Sequence, residues 1–346
     1  MSGMDAAARS LVVRAEEASH AGIELGEDWT KLLLTKRLGK HGPFQNLLDA
    51  QLRFRIVGDG PFIERAVVAD SPAAHAVIGR PEVQRAIRGA MATIDAARGE
   101  KELTGITFSY DDAGWIANRA VQAMQGKTPS LANYRQAVGE ATAHVLGYHA
   151  VRAGDWIHLG PVKSEPFIRY FRGDTTPENV EQLSRSIKTL LHEIAHVVTP
   201  RAKSERSLRW MSEGIAETWA RWPGNVGAAG ERMGIPTVPD FHKVLDLENE
   251  KYPDQVRTLR ALLQLAGVDT NSPAAIEQFE DLCQLMPVGK VPRAIAERID
   301  ERFPGISRTE VMKLIRDGIS PNETDANPQG VLDLARRAGQ QLDLPG

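Results

Sequence analysis

Two histidines four residues apart, with a glutamate directly after the first, stand at His192, Glu193 and His196. On a helix, residues i and i+4 point to the same side about 40° apart, so both imidazoles can reach one ion. Glu193 then lies beside the open position of that ion, where a carboxylate can take a proton from water. The pattern predicts a zinc site with hydrolytic chemistry, provided that the segment is helical and a third ligand exists.

The residues before this pattern favour a helix. Thr176 is a suitable N-cap, Pro177 suits the first helical position, and Thr199-Pro200 is a stop signal. His192 and His196 lie away from the apolar side, and the alternative is a solvated polar face on which two histidines fall by chance. Between the two ends, apolar residues recur at steps of three and four, at Val180, Leu183, Ile187, Leu190, Ile194 and Val197.

A second predicted helix after His196 offers carboxylates for the third ligand. Glu213 and Glu217 are four residues apart and share one helical face. The alternative for Glu217 is an exposed glutamate on the helix surface. Pro223-Gly224 ends the helix, and its apolar side consists of Leu208, Met211, Ile215, Trp219 and Trp222.

Together these residues carry a family resemblance. Histidine-glutamate-x-x-histidine at 192–196, followed by tryptophan-x-x-glutamate-glycine-x-alanine-glutamate at 210–217, resembles the gluzincin metallopeptidases. The similarity covers roughly residues 155–222. The fold that it implies is α+β and mainly helical, with a zincin-like catalytic core in which the active-site helix lies beside a small sheet and is followed by a helical lobe.

The resemblance also implies a role for each side chain. His192, His196 and Glu213 would bind zinc, Glu193 would be the general base in the hydrolysis of a peptide bond, and Glu217 would support a histidine ligand. The last role has a physical reason, because a ligating imidazole normally donates its other N–H to an oxygen that fixes its orientation. An exchange of roles between the two glutamates stays open.

A donor for the oxyanion is expected further along the chain. Tyr252 and His242 lie where similar enzymes supply such a group, and each can donate a hydrogen bond. The alternative for both is a packed or exposed residue with no part in the chemistry.

A short strand is predicted before the metal helix, at 155–160. Ile157 and Leu159 alternate with Trp156 and His158. In similar peptidases an edge strand at this position pairs with the substrate backbone. The alternative is an ordinary sheet strand without ligand contact, in which His158 is structural or exposed.

The remaining sequence gives a coarse organisation. Helices are predicted at 4–54 in pieces, 81–98 and 129–146, and a strand at 105–110. The glycine- and proline-rich stretch after Trp222 is too irregular for regular structure and is better interpreted as a connector than as a lid. The expected regions are an N-terminal helical region at 1–100, the catalytic core at 101–222, the connector at 223–240, a helical lobe at 241–319, and a polar linker with a terminal helix at 320–346.

Composition excludes some classes of function. With 346 residues and 42% hydrophobic side chains, the chain can bury a sizeable core. A net charge of −3 gives no indication of a nucleic-acid or membrane partner, and no glycine motif that cradles phosphate is present. The single cysteine, Cys283, excludes an internal disulfide and is expected in the core. Without a secretory signal or membrane span, we expect a soluble, cytoplasmic protein, with export by a dedicated machine left open.

A second function from another class also fits these residues. The helix pair could bind zinc in a structural or delivered component, such as part of a phage-like or injection-system particle, a toxin or a regulator, with restricted or lost peptidase activity. A protein partner would then contact the N-terminal helical region. The presence of Glu193 argues against complete loss of hydrolysis.

Overall fold

The chain forms two compact units. Unit 1 comprises residues 1–88 and 103–190, and unit 2 comprises residues 89–102 and 191–346. Each unit is therefore built from two separate stretches of sequence. The computed structural model describes residues 9, 12–13, 51–99, 101–110, 115–116, 120, 130–141, 147–150, 156–200, 209–244, 252–317 and 328–339.

A five-stranded mixed sheet lies in unit 1. Its strands are β1 (Gln51–Val57), β2 (Ala66–Ala69), β3 (Gly105–Ser109), β4 (Gly147–Ala150) and β5 (Trp156–Leu159). The strand order is β2-β1-β3-β5-β4, with β3 and β5 parallel and the other neighbours antiparallel. The predicted strands at 105–110 and 155–160 are confirmed as β3 and β5. The expectation that residues 1–100 are helical is wrong for β1 and β2, because β1 alternates buried and exposed residues as a strand does.

The position of β5 inside the sheet corrects a further expectation. It pairs with β3 on one side and with β4 on the other, so its backbone groups already belong to the ladder. A substrate therefore cannot add to β5 as to an edge strand. His158 is buried and its ring stacks on Trp156, which agrees with the structural alternative.

Among the residues that the structure describes, five helices with both ends placed accompany this sheet. They are α1 (Pro72–Val77), α2 (Pro81–Ala96), α3 (Leu131–Ala141), α4 (Pro161–Phe171) and α5 (Pro177–Val198). Aromatic contacts pack α4 against the sheet, since the ring of Phe108 in β3 lies 5.1 Å from that of Phe167 and 5.9 Å from that of Phe171. The predictions at 81–98 and 129–146 are confirmed as α2 and α3 for the described residues.

The helix that carries the histidines is α5, and its start follows the predicted signals. The Thr176 carbonyl accepts the N–H of Val180 at 2.9 Å, and the Thr176 hydroxyl accepts that of Asn179 at 3.4 Å. The Asp174 carboxylate in turn accepts hydrogen bonds from the N–H and the hydroxyl of Thr176. The predicted apolar stripe is buried at Leu183, Ile187, Leu190, Ile194 and Val197. Residues 177–190 of α5 belong to unit 1, and residues 191–198 belong to unit 2.

Helices make up the rest of unit 2 as the structure describes it. Between 273 and 284 the chain forms a 3-10 turn, a short α-helix and a π-helical segment in succession. The described residues of the lobe expected at 241–319 are mainly helical. The helices are α6 (Arg209–Ala220), α7 (Asn225–Met233), α8 (Phe241–Val244), α9 (Pro253–Leu265), α10 (Ile276–Phe279), α11 (Val291–Arg302), α12 (Arg308–Asp317) and α13 (Pro328–Arg337).

The interpretation of 223–240 as wholly irregular is wrong, because α7 occupies its first half. Glycines with positive φ, Gly224 at 87° and Gly234 at 64°, flank this helix and let the chain turn at both ends. The glycines that suggested a loop are therefore partly the end signals of a helix.

The described residues are mainly helical with one small sheet, which confirms the α+β class. Of the predicted N-terminal helices, Arg9, Val12 and Val13 are helical, and the rest of 4–50 lies outside the described residues, as does the linker at 320–327. In the part of the chain that is described, no helix has both the length and the apolar character needed to cross a membrane.

Candidate metal centre

Three potential ligand atoms meet in unit 2, between α5 and α6. His192 Nε2 lies 3.2 Å from His196 Nε2. Glu213 Oε2 lies 3.3 Å from His192 Nε2 and 3.6 Å from His196 Nε2. Among the described residues, this is the one group of His, Cys, Asp and Glu side chains arranged to hold an ion.

The spacing of these atoms fits zinc. Ligand atoms about 2.0–2.1 Å from zinc in a tetrahedral site are separated by about 3.3–3.4 Å. The observed separations of 3.2, 3.3 and 3.6 Å are close to that value. Two imidazoles and one carboxylate, which leave a fourth position open, are a ligand set of catalytic zinc sites.

The helices explain why these side chains converge. On α5, His192 and His196 are one turn apart, and their ring centroids are 4.9 Å from each other. On α6, Glu213 and Glu217 are likewise one turn apart. The apolar side of α6 is buried at Trp210, Met211, Ile215 and Trp219. Burial of each apolar side therefore sets which polar residues of the two helices lie at the candidate ion site.

Glu217 holds the other nitrogen of His192. Its Oε2 lies 2.8 Å from His192 Nδ1, in a hydrogen bond that the imidazole donates to the carboxylate. A proton on Nδ1 leaves the lone pair on Nε2, which is the atom that faces His196 and Glu213. With 2% of its surface exposed, Glu217 is not the surface residue of the alternative interpretation.

Sequence reasoning missed Arg221, which completes this arrangement. Its Nε lies 2.8 Å and its Nη2 2.7 Å from Oε1 of Glu217, the oxygen that does not face His192. Arg221 is 5% exposed. The one signal in the sequence was its spacing of four residues from Glu217, which is common for acidic and basic residues on helix surfaces.

Glu193 lies buried among the same charged groups. It is 4% exposed, and this burial raises the pKa of its carboxyl group, while positive charge at His192 and His196 lowers it. A carboxyl group whose pKa is raised is a stronger proton acceptor, as a general base requires.

The electrostatics of the cluster favour a cation. Burial lowers the pKa of His192, but the hydrogen bonds to Glu213 and Glu217 outweigh it and raise the pKa to about 10. For Glu213, burial raises the pKa of the carboxyl group, but the hydrogen bonds and charges of the two histidines outweigh burial and bring this pKa well below the ordinary value. Positive charge is therefore stabilised where the three ligand atoms meet, and a divalent ion would benefit from the same carboxylates.

Of the two candidate oxyanion donors, the structure brings Tyr252 to the cluster. Its ring is parallel to the imidazole of His192, with the centroids 5.9 Å apart. Tyr252 has φ +62° and directly precedes α9. The backbone of α9 comes close to Gly214 of α6, because a Cβ placed on that glycine would lie 3.2 Å from the carbonyl oxygen of Gln255. The glycine after Glu213 thus lets the start of α9 approach α6.

His242 has other neighbours. It lies half-buried in α8, where burial lowers the pKa of its imidazole. The charges that act on it are those of Asp240, Lys243 and Arg260, and no side chain of the ion site is among them.

Comparison with known proteins gives little further guidance. No known protein family matches the chain, and no solved structure matches it. A glucokinase of Chromobacterium violaceum is 37% identical over 67 residues, which are 19% of this chain and 19% of that protein. The chain thus spans about a fifth of the length of the curated relative that it matches, and a similarity of this extent shows neither a fold nor an activity.

Proposed function

We propose that this protein is a zinc-dependent metallopeptidase. The observation that carries the proposal is the meeting of His192 Nε2, His196 Nε2 and Glu213 Oε2 within 3.2–3.6 Å, with Glu193 buried on the same helix. The match of order and spacing to the gluzincin pattern supports a peptidase among the zinc hydrolases. A zincin-like core belongs to the same proposal.

Each side chain of the site has a separate role in the proposed hydrolysis of a peptide bond. His192, His196 and Glu213 would hold a zinc ion, which would supply Lewis-acid polarisation of a water molecule and of the substrate carbonyl. Glu193 accepts a proton from the attacking water as the carbon–oxygen bond forms, and returns it to the amine nitrogen as the carbon–nitrogen bond breaks. The Tyr252 hydroxyl is the proposed donor to the oxyanion, which its ring contact with His192 supports.

Metal content is the first test. The full chain, purified without chelator, should hold about one zinc per molecule by elemental analysis, and His196→Ala should remove it. His242→Ala is the control, since the charges that act on its side chain are those of Asp240, Lys243 and Arg260, and it should keep the zinc. A folded wild-type protein that takes up no zinc would contradict the proposal.

Hydrolysis is the second test. Glu193→Gln preserves the volume of the side chain but cannot accept the proton, so it should keep zinc and lose about 10²–10⁴-fold in the rate of cleavage of a peptide library. Mass spectrometry of the digest identifies the cleaved bonds. If the wild-type protein holds zinc and cleaves no peptide, the structural or delivered role described above is the better account. Cleavage by the variant at the wild-type rate would exclude Glu193 as the base.

A further inference from the structure

We propose that Arg221 is a positioning residue of the metal centre, which acts through Glu217 on the ligand His192. This inference rests on the proposed zinc site. It adds a third member to the chain of contacts behind the ion: Arg221 fixes one oxygen of Glu217, and the other oxygen fixes His192.

The backbone places Arg221 for this contact. Its N–H donates to the carbonyl of Glu217 at 3.1 Å, so the helical geometry of α6 continues to this residue. The two side chains therefore project from the same side, one turn apart. Two of the three guanidinium nitrogens, Nε and Nη2, contact Oε1, which leaves Oε2 directed at His192 Nδ1.

The ion pair between Arg221 and Glu217 is buried, so loss of either partner should have a large effect on the other. The side chains of Glu217 and Arg221 are 3% and 4% exposed, so little water is available to solvate the carboxylate. Removal of one partner from a buried ion pair leaves the other charge without compensation. The Glu217 carboxylate would then lose the contact that fixes its rotation, and His192 would lose its firm orientation toward the ion. Loss of such supporting contacts typically lowers metal affinity about 10 to 100-fold.

The competing explanation is that the ion pair only stabilises the fold. Arg260 offers a control, because it is a half-buried arginine of unit 2 with hydrogen-bond partners of its own. Its Nη2 donates to the Thr270 carbonyl at 2.7 Å and to the Asn271 side-chain oxygen at 3.1 Å. Arg260→Met therefore measures what the loss of a partly buried arginine does to unit 2 in general.

The experiment measures zinc affinity by competition with a chromophoric chelator, at one fixed pH, for the full chain and its variants. Arg221→Met should weaken zinc binding about 10 to 100-fold, Arg221→Lys should weaken it less, and Arg260→Met should leave it unchanged. The Co²⁺-substituted protein should show an altered d–d absorption spectrum in Arg221→Met but not in Arg260→Met. Arg221→Lys carries the test if Arg221→Met does not fold.

A double-mutant cycle with Glu217→Gln tests whether Arg221 acts through that residue. If it does, the double variant should bind zinc no more weakly than the more affected single variant. Folded Arg221 variants with wild-type zinc affinity and an unchanged Co²⁺ spectrum would overturn the inference, as would additive effects in the cycle. Failure of the wild-type protein to bind zinc would instead overturn the proposed function, and this inference with it.

Discussion

At His192, the two ring nitrogens contact two different glutamates. Nε2 faces Glu213 at 3.3 Å and Nδ1 faces Glu217 at 2.8 Å. Helix spacing predicts both carboxylates on one face but does not divide their roles, which only the family resemblance suggested, because residues four apart on one helix present the same face. The role of Arg221 was not predicted for a related reason. Its neighbours in the sequence do not distinguish a buried arginine from the solvent-exposed arginines that are common near helix ends.

The division of the two glutamates leads to a prediction. Glu213→Ala removes a proposed zinc ligand together with its negative charge, whereas Glu217→Ala removes a supporting contact that is worth about 10 to 100-fold in affinity. Zinc should therefore be held more weakly by Glu213→Ala than by Glu217→Ala. Chelator competition on the two variants gives both affinities.

The reverse order of affinities would exchange the two roles. Wild-type affinity in both variants would mean that the third ligand comes from elsewhere in the chain. Glu231→Ala, an exposed position on α7, is a suitable control for the loss of a carboxylate from unit 2.

Among the elements, α5 was predicted well because the signals that form it are local. Its cap, its apolar stripe and its proline stop all lie within one stretch of sequence. The same holds for β3 and β5, whose short apolar runs are typical of strands. The contribution of Asp174 to the start of α5 was not predicted, because it depends on the fold of the turn before the helix.

The start of α5 should make stability depend on pH. Hydrogen bonds from Thr176 and Arg169 hold the pKa of Asp174 below its ordinary value. A carboxyl group whose pKa is lowered in the folded state stabilises it above the unfolded pKa of about 3.9, and loses this effect as the pH falls through the folded pKa. Asp174→Asn should therefore be less stable than the wild-type protein at pH 7, and the difference should shrink below about pH 4.

Urea unfolding followed by circular dichroism at pH 7, 5 and 3 measures this difference. Asp333→Asn is the control, because that carboxylate lies on α13 and not at the start of α5. A difference between Asp174→Asn and the wild-type protein that stays constant from pH 7 to pH 3 would show that ionisation of Asp174 is not its cause.

Helix α7 was not predicted because its glycines have low helix propensity and are typical of loops, whereas packing stabilises the helix. A Cβ at Gly230 would collide with the Thr237 side chain and lie 2.9 Å from the Ile235 carbonyl, whereas a Cβ at Gly227 would meet nothing within 4 Å. One glycine is thus needed for the close approach of the following loop, and the other is not.

These two glycines give a matched pair of substitutions in one helix. Gly227→Ala should stabilise the protein by about 0.5–1 kcal/mol, because alanine has the higher helix propensity. Gly230→Ala should destabilise it by about 1–3 kcal/mol through overpacking. Chemical unfolding of both variants measures the two changes in the free energy of unfolding, and equal effects of the same sign would contradict the packing argument.

For the whole molecule, sequence patterns predicted the kind of most elements, except β1, β2 and α7, but not their arrangement. The interior position of β5 depends on its pairing with β3 and β4, and pairing between distant strands leaves no local signal. The class of the fold could be predicted because it depends only on which elements exist.

The interleaving of the two units affects how the protein can be divided. Because the chain enters unit 2 at Gly89, leaves it after Glu102 and returns at Leu191, no single cut of the polypeptide separates the units. A fragment that begins at Leu191 keeps every proposed zinc ligand but lacks the end of α2, where Gly89 approaches the backbone of Met233 closely. On the ribosome, that end of α2 emerges well before the residues it contacts, so unit 2 can close only after most of the chain has been synthesised.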